Sequence, residues 1–173
     1  MSYNVSAGFS LATNDTPPGI KAIHIGSDAI TSVTESNGEI TGFVMDGDTD
    51  SWYEFDCALG EGQLARAKSA GSGGLENVTT LTYRIGGLSQ AKLDTLKEIT
   101  DSSKLGIVVE LRNDDLYYVS RNGMTANASA FDTGVSGGGA TAIGETITFT
   151  GHDSYDIQKV DLGSNADLDA ITT

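Results

Sequence analysis

The run Glu76-Asn77-Val78-Thr79-Thr80-Leu81-Thr82-Tyr83-Arg84-Ile85 alternates along its length. Thr79, Leu81, Tyr83 and Ile85 fall on one side; Val78, Thr80, Thr82 and Arg84 fall on the other. A period of two is the geometry of a strand. One apolar side and one hydroxyl side make it half-buried. Glu145 to Thr150 repeats the pattern, with Ile147 and Phe149 opposed to Thr146, Thr148 and Thr150. Together the two runs predict a mainly β protein with hydroxyl rows on one sheet face.

Outward from these runs, turn chemistry sets the pace. The chain has 22 Gly against 2 Pro. Residues 30–35 and 40–45 flank Ser36-Asn37-Gly38-Glu39, a hairpin signal, since Asn-Gly suits the turn that matches strand twist. Residues 20–25 read as a first strand. Trp52 to Cys57 alternates, with Tyr53, Phe55 and Cys57 opposite Trp52, Glu54 and Asp56. Leu105 to Leu111 has the most buried pattern, and Asn113-Asp114-Asp115 turns it into Leu116 to Ser120. Residues 124–131 read as a further strand and 132–144 as a Gly-rich link. Glu145 to Thr150 and Tyr155 to Asp161 read as a closing strand pair. A helix is predicted over about 90–100, with Ser89 as N-cap. Leu88 and Leu93 are spaced as a staple, and Leu93, Leu96 and Ile99 form an apolar stripe. The fold class expected is an antiparallel β-sandwich or partial barrel with one flanking helix. Its limits are an extended arm at 1–19, a single domain at 20–162 and a tail at 163–173. Residues 58–74, rich in Ala, Gly and Ser, read as a long loop.

Composition narrows function. The formal charge is −14, so the chain lacks the basic patch that grips phosphates. Residues 1–61 carry ten acids and one base, 62–121 seven acids and eight bases, 122–173 seven acids and one base. Hydrophobic residues are 38%, a modest core that neighbouring subunits would help to stabilise. Cys57 is the single cysteine, so neither an intrachain disulfide nor a Cys-based metal site is available. No signal peptide or membrane span is legible, and a soluble protein made in a cytosol is expected.

No motif carries catalysis or a cofactor. Asp46-x-Asp48-x-Asp50 has the opening spacing of a calcium loop, but Ser51 and Cys57 stand where Gly and Glu are needed. His24 and His152 are the two histidines, and no spacing supports a triad. Gly71-Ser72-Gly73-Gly74 lacks the Lys of a phosphate loop and precedes a strand. Asn77-Val78-Thr79 is a formal glycosylation sequon without a secretion signal.

The segment from Leu105 to Val160 carries a resemblance. It runs strand, acidic turn at Asn113-Asp114-Asp115, strand at Leu116-Tyr117-Tyr118-Val119, then Arg121-Asn122-Gly123. A Gly-rich segment with Thr133-Gly134 leads into Glu145-Thr146-Ile147-Thr148-Phe149-Thr150-Gly151-His152-Asp153-Ser154. This order resembles virion proteins of tailed bacteriophages, in particular tail tube proteins, which also carry a helix beside a β-sandwich. The likeness spans about the last 90 residues, and Ile143-Gly144-Glu145 departs from the Asn-Gly often found there. It implies a subunit of hexameric rings that stack head to tail, contact other tail proteins and pass DNA through a lumen without binding it specifically. It implies residence in the virion tail after assembly in the host cytoplasm.

Joined to the strand pattern, this makes Thr80, Thr82, Thr146, Thr148, Thr150, Asp156 and Gln158 the candidate lumen face, polar and acid-leaning. Leu81, Tyr83, Ile147, Phe149, Tyr155 and Ile157 are then expected to face the core. Gln63, Arg66 and Lys68 in the 58–74 loop are the candidate inter-subunit contacts. Partners expected are copies of the same chain, other tail proteins and passing DNA, with no membrane and no cofactor. The competing readings are another virion part (head decoration, connector or tail terminator) and a stand-alone binding module using Trp52, Tyr117 and Tyr118. An enzyme is disfavoured.

Overall fold

The computed structural model describes residues 19–47, 49–57, 61–71, 74–86, 89–132, 135–136, 139–140 and 144–173. The strands are β1 (Ile20–Gly26), β2 (Ile30–Ser36), β3 (Glu39–Met45), β4 (Trp52–Asp56), β5 (Gly62–Gly71), β6 (Gly74–Gly86), β7 (Ile107–Leu111), β8 (Leu116–Tyr118), β9 (Thr125–Asp132), β10 (Val135–Ser136), β11 (Gly139–Ala140), β12 (Gly144–Asp153) and β13 (Gln158–Val160). Helix α1 (Gln90–Asp101) lies between β6 and β7.

The strands form a seven-stranded sheet ordered β2-β3-β13-β8-β7-β1-β4 and a four-stranded sheet ordered β5-β6-β12-β9, with β10-β11 as a small separate pair. The pairings are antiparallel except for β13 on β3. The β2–β3 hairpin turns at Asn37 (φ 53°) and Gly38 (φ 86°), the doubly left-handed turn that Asn-Gly favours.

The main core fills the space between the sheets. Ile23, Ile25, Ile107 and Val109 meet Leu81, Tyr83, Ile147 and Phe149, all almost fully buried. Helix α1 closes one side with Leu96 and Ile99. The Ser89 hydroxyl caps it by accepting from the Lys92 amide. Leu93, expected in the same stripe, is 36% exposed, so the apolar contact is narrower than the sequence pattern. Leu88 lies outside the described residues.

A second core lies on the far face of the larger sheet. Phe43 sets its ring edge-on to Trp52 at 5.0 Å and to Tyr118 at 5.2 Å. Phe43 and Trp52 sit on strands near opposite ends of the sheet order, so the sheet curls towards a barrel. With both faces covered, β7 opens on the apolar run Ile107-Val108-Val109: Val108 enters the second core, its neighbours the first.

Three boundaries differ from the expectation. Residues 62–71 are not loop but strand, paired with β6 from Gly62↔Tyr83 to Gly71↔Gly74; small residues suit a flat hairpin as well as a linker. Residues 163–173 are not a free tail. Leu168 is 3% exposed in the second core, the amide of Thr173 donates to the Phe43 carbonyl, and the Met45 amide donates to the Thr173 carbonyl. Trp52 donates its indole N–H to Thr172 Oγ1 at 2.9 Å and its amide to Asp169 Oδ1 at 2.7 Å. Finally, β12 and β13 are not a strand pair but belong to different sheets. The arm, apart from Gly19, lies outside the described residues.

Candidate functional site: the outer face of the four-stranded sheet

Register brings the predicted threonines together. Across β6 and β12, Thr80 stands opposite Thr150, Thr82 opposite Thr148, and Arg84 opposite Thr146. On the flanks, Ala65 and Gln63 of β5 stand opposite Thr80 and Thr82, and Thr125 and Ala130 of β9 opposite Thr150 and Thr146. Directly opposed side chains on one face lie about 5 Å apart at Cβ, so the hydroxyls form one continuous patch. All five threonines are partly exposed, while Leu81, Tyr83, Ile147 and Phe149 behind them are at most 2% exposed.

The patch carries no charge at its centre. At one end Arg84 pairs with Glu61 at 3.0 Å; at the other His152 Nδ1 meets Glu76 Oε1 at 3.0 Å. The face is polar but not acid-leaning, which corrects the expectation. The two remaining candidates are elsewhere. Asp156 sits in the crossing after β12 and holds Arg66 at 2.8 Å and Lys68 at 3.4 Å. Gln158 is in the other sheet, accepting from the Arg121 guanidinium and donating to Glu35 Oε1 at 3.0 Å. Period-two reading fails there because the chain changes sheet between Thr150 and Gln158. Arg66 and Lys68 are therefore not isolated: both pair with Asp156 of their own domain, while Gln63 joins the threonine patch. Tyr155 also leaves the expected core side: it is 53% exposed, with the Arg121 guanidinium 4.3 Å over its ring, while Ile157 is only half-buried.

No family model, curated protein or solved structure matches the chain.

The joint that carries the chain between sheets was not legible beforehand. The buried Asp153 carboxylate accepts from the amides of Arg121, Asn122 (3.1 Å) and Tyr155 (2.9 Å). Asn122 Nδ2 donates to the His152 carbonyl at 3.0 Å. A side chain at Gly151 would meet Ser120 Oγ at 2.8 Å, and one at Gly123 (φ +77°) would come within 2.5 Å of the Lys104 backbone. Both positions thus require glycine for close approach, and Gly123 for its left-handed backbone as well. The two motifs Arg121-Asn122-Gly123 and Gly151-His152-Asp153 are one structural unit.

A second polar cluster occupies the far face of β1 and β7. Lys21 Nζ binds Glu110 Oε1 at 2.6 Å and Asp114 Oδ1 at 2.8 Å, and His24 Nε2 meets Glu110 Oε2 at 3.0 Å. Burial pushes the Glu110 carboxyl up, but the Lys21 and His24 hydrogen bonds outweigh it and hold it below its ordinary value. The cluster borders a cleft of about 510 Å³ shared with Trp52 and Asp169. Both oxygens of its most buried carboxylate are engaged within the protein. Among the described residues no group of His, Cys, Asp and Glu is placed to hold a metal ion, and no helix is long and apolar enough to cross a membrane. Asn77, the sequon residue, is 5% exposed and donates to the Tyr155 carbonyl.

Proposed function

We propose that this protein is a structural subunit of a phage tail tube, its four-stranded sheets joining edge to edge in stacked, hexameric rings around a channel that conducts DNA. The observation that carries this reading is the uncharged hydroxyl face on a sheet whose two edge strands, β5 and β9, have no further partner among the described residues. Open edges favour pairing with another copy. Six such sheets make a 24-stranded wall. At about 4.8 Å between strands and about 40° of tilt, a closed barrel of that size is roughly 48 Å across its backbone, wide enough for duplex DNA. Hydroxyls hydrate such a wall without the counterion-releasing contacts that Lys and Arg make with phosphate. Six copies carry a formal charge of −84, which keeps a polyanion from adhering. Other tail proteins would cap the stack, and the finished tube would reside in the virion.

The carbohydrate-platform alternative loses two of its three aromatics, since Trp52 and Tyr118 are buried in the second core and Tyr117 alone stays partly exposed. Cryo-electron microscopy of the purified protein tests the proposal. The expected result is filaments with a central channel lined by Thr80, Thr82, Thr146, Thr148 and Thr150. Closed single rings would favour a connector or terminator, and particles with these threonines on the outside would overturn the conduit role.

A further inference from the structure

The two edges of the four-stranded sheet carry enough detail to fix how they would meet. The Arg84 amide donates to the Glu61 carbonyl at 3.0 Å, which sets the alternation along β5. Odd residues from Gln63 to Ser69 bond to β6, so Leu64, Arg66, Lys68 and Ala70 aim their amides and carbonyls outward. Carried across β6 and β12, the same alternation leaves Ser129 and Phe131 of β9 with outward backbone groups. None of these groups finds a backbone partner among the described residues. Strand direction alternates across the sheet, so β9 of one copy and β5 of the next meet antiparallel when copies are related by rotation.

The strands are also staggered. Read against β6, β5 covers the levels from Gly74 to Tyr83, β12 from Asn77 to Gly86 and β9 from Thr80 to Gly86. Strand midpoints therefore drift by about 1.5 residues per strand, roughly 5 Å of rise over a spacing of about 4.8 Å. That slope is about 45°, the upper end of the tilt that strands take in closed barrels. Continuing the same drift past β9 brings the middle of the next β5, Arg66 and Ala67, opposite Phe131 and Ala130. This register also satisfies two parity conditions. It sets outward backbone groups against outward backbone groups, and it keeps Ala67 and Ala130 on the hydroxyl face.

Phe131 supplies an independent reason for a neighbour. Helix α1 packs beside β9, yet Phe131 is 60% exposed, more than any other large apolar side chain among the described residues. An exposed ring on an open strand edge is a liability for a monomer. We propose that β5 of one copy pairs antiparallel with β9 of the next in the register Arg66↔Phe131 and Ala67↔Ala130, with the Arg66 side chain covering the Phe131 ring. This register rests on the edge-to-edge reading above and adds the residues that meet.

Disulfide trapping tests it. Ala67 and Ala130 would form a non-hydrogen-bonded pair, with Cα atoms about 4.5 Å apart, within the range a disulfide spans. The double variant Ala67→Cys/Ala130→Cys is oxidised mildly beside the shifted pairs Ala65→Cys/Ala130→Cys and Ser69→Cys/Ala130→Cys, with peptide mapping to separate products of Cys57. The expected result is a ladder of chain-to-chain disulfides that forms fastest, by at least about tenfold, in the Ala67 pair. In parallel, Phe131→Asp should weaken self-association in sedimentation by at least about tenfold with an unchanged melting temperature. A faster ladder from a shifted pair would overturn this register and leave edge-to-edge pairing standing. Wild-type association of Phe131→Asp would overturn the covering of that ring. Assembly without a ladder from any pair, or wild-type protein that stays monomeric at all concentrations, would overturn the edge-to-edge reading and the register together.

Discussion

Replacing Leu168 by Ala tests the docking of the C-terminal residues on the second core. Leu168 is 3% exposed and packs with Phe43, Trp52 and Leu116. Truncating a buried Leu removes its transfer free energy and leaves a cavity, a loss of about 2–5 kcal/mol. A segment outside the strands relaxes more readily than a central strand, so the low end, about 2–3 kcal/mol, applies. For a domain of this size that corresponds to a melting temperature lower by roughly 5–10 °C. Thermal unfolding followed by circular dichroism gives the shift. Trp52 is the only tryptophan and lies in the same core, so its emission reports the site directly. Deleting residues 167–173 also removes the acceptors of its indole N–H and amide, and its emission should move to the red while most strand signal persists. A Leu168→Ala variant that melts within about 1 °C of wild type, with unchanged Trp emission, would refute the docking; the shift expected is several-fold larger.

The helix contact separates two leucines: Leu96→Asp should cost several kcal/mol because it drives a charge into the main core, whereas Leu93→Asp at the exposed rim should cost less than about 1 kcal/mol, both read from urea unfolding. Asp153→Ala leaves the amides of Arg121, Asn122 and Tyr155 without their acceptor and should destabilise by about 2–4 kcal/mol; wild-type stability would remove the joint from the account. Because Glu110 is held below its ordinary value, its contribution is present above the unfolded-state pKa of about 4.3 and lost as the pH falls through the lower folded-state value. Glu110→Gln should therefore flatten the stability profile below about pH 4.3; an identical acid limb in both proteins would show that other carboxylates dominate. In the tube proposed above, Thr148→Lys should leave folding intact and introduce salt-dependent retention of DNA, measurable by binding of short duplexes to filaments at two ionic strengths; no retention would place Thr148 away from the channel.

The sequence was most legible where one physical rule acted alone. The period of two in β6 and β12 put Leu81, Tyr83, Ile147 and Phe149 inside and five threonines outside, and the register set those threonines face to face. Asn37-Gly38 marked its hairpin and Ser89 its helix start for similar local reasons. Reading failed where tertiary context chose between equal local options. Small, polar residues 62–71 serve a linker or a hairpin, and only pairing with β6 decides. The Asp156 and Gln158 assignments failed because periodicity cannot see a change of sheet, and here the change is made by a buried carboxylate gathering three amides. The C-terminal residues hold Leu168 and the partly buried Ile171 among polar neighbours, too sparse a pattern to signal burial.

The placement of charge argues further than its sum. Solubility alone would put Lys, Glu and Asp at outward positions of an exposed sheet, where they also guard against unwanted pairing. This chain has 34 charged residues, yet the middle of the outer face holds Thr80, Thr82, Thr148, Thr150, Gln63 and Ala65. At the ends of that face Arg84 is matched by Glu61, and Glu76 meets the His152 ring. Lys68 and Arg66 on the edge strand β5 lean towards one shared carboxylate, Asp156, which offsets part of the positive charge on that edge. A face kept neutral between two open edges is costly for a monomer, since it invites association. It is suited to a subunit whose edges are paired and whose neutral face looks into a water-filled passage.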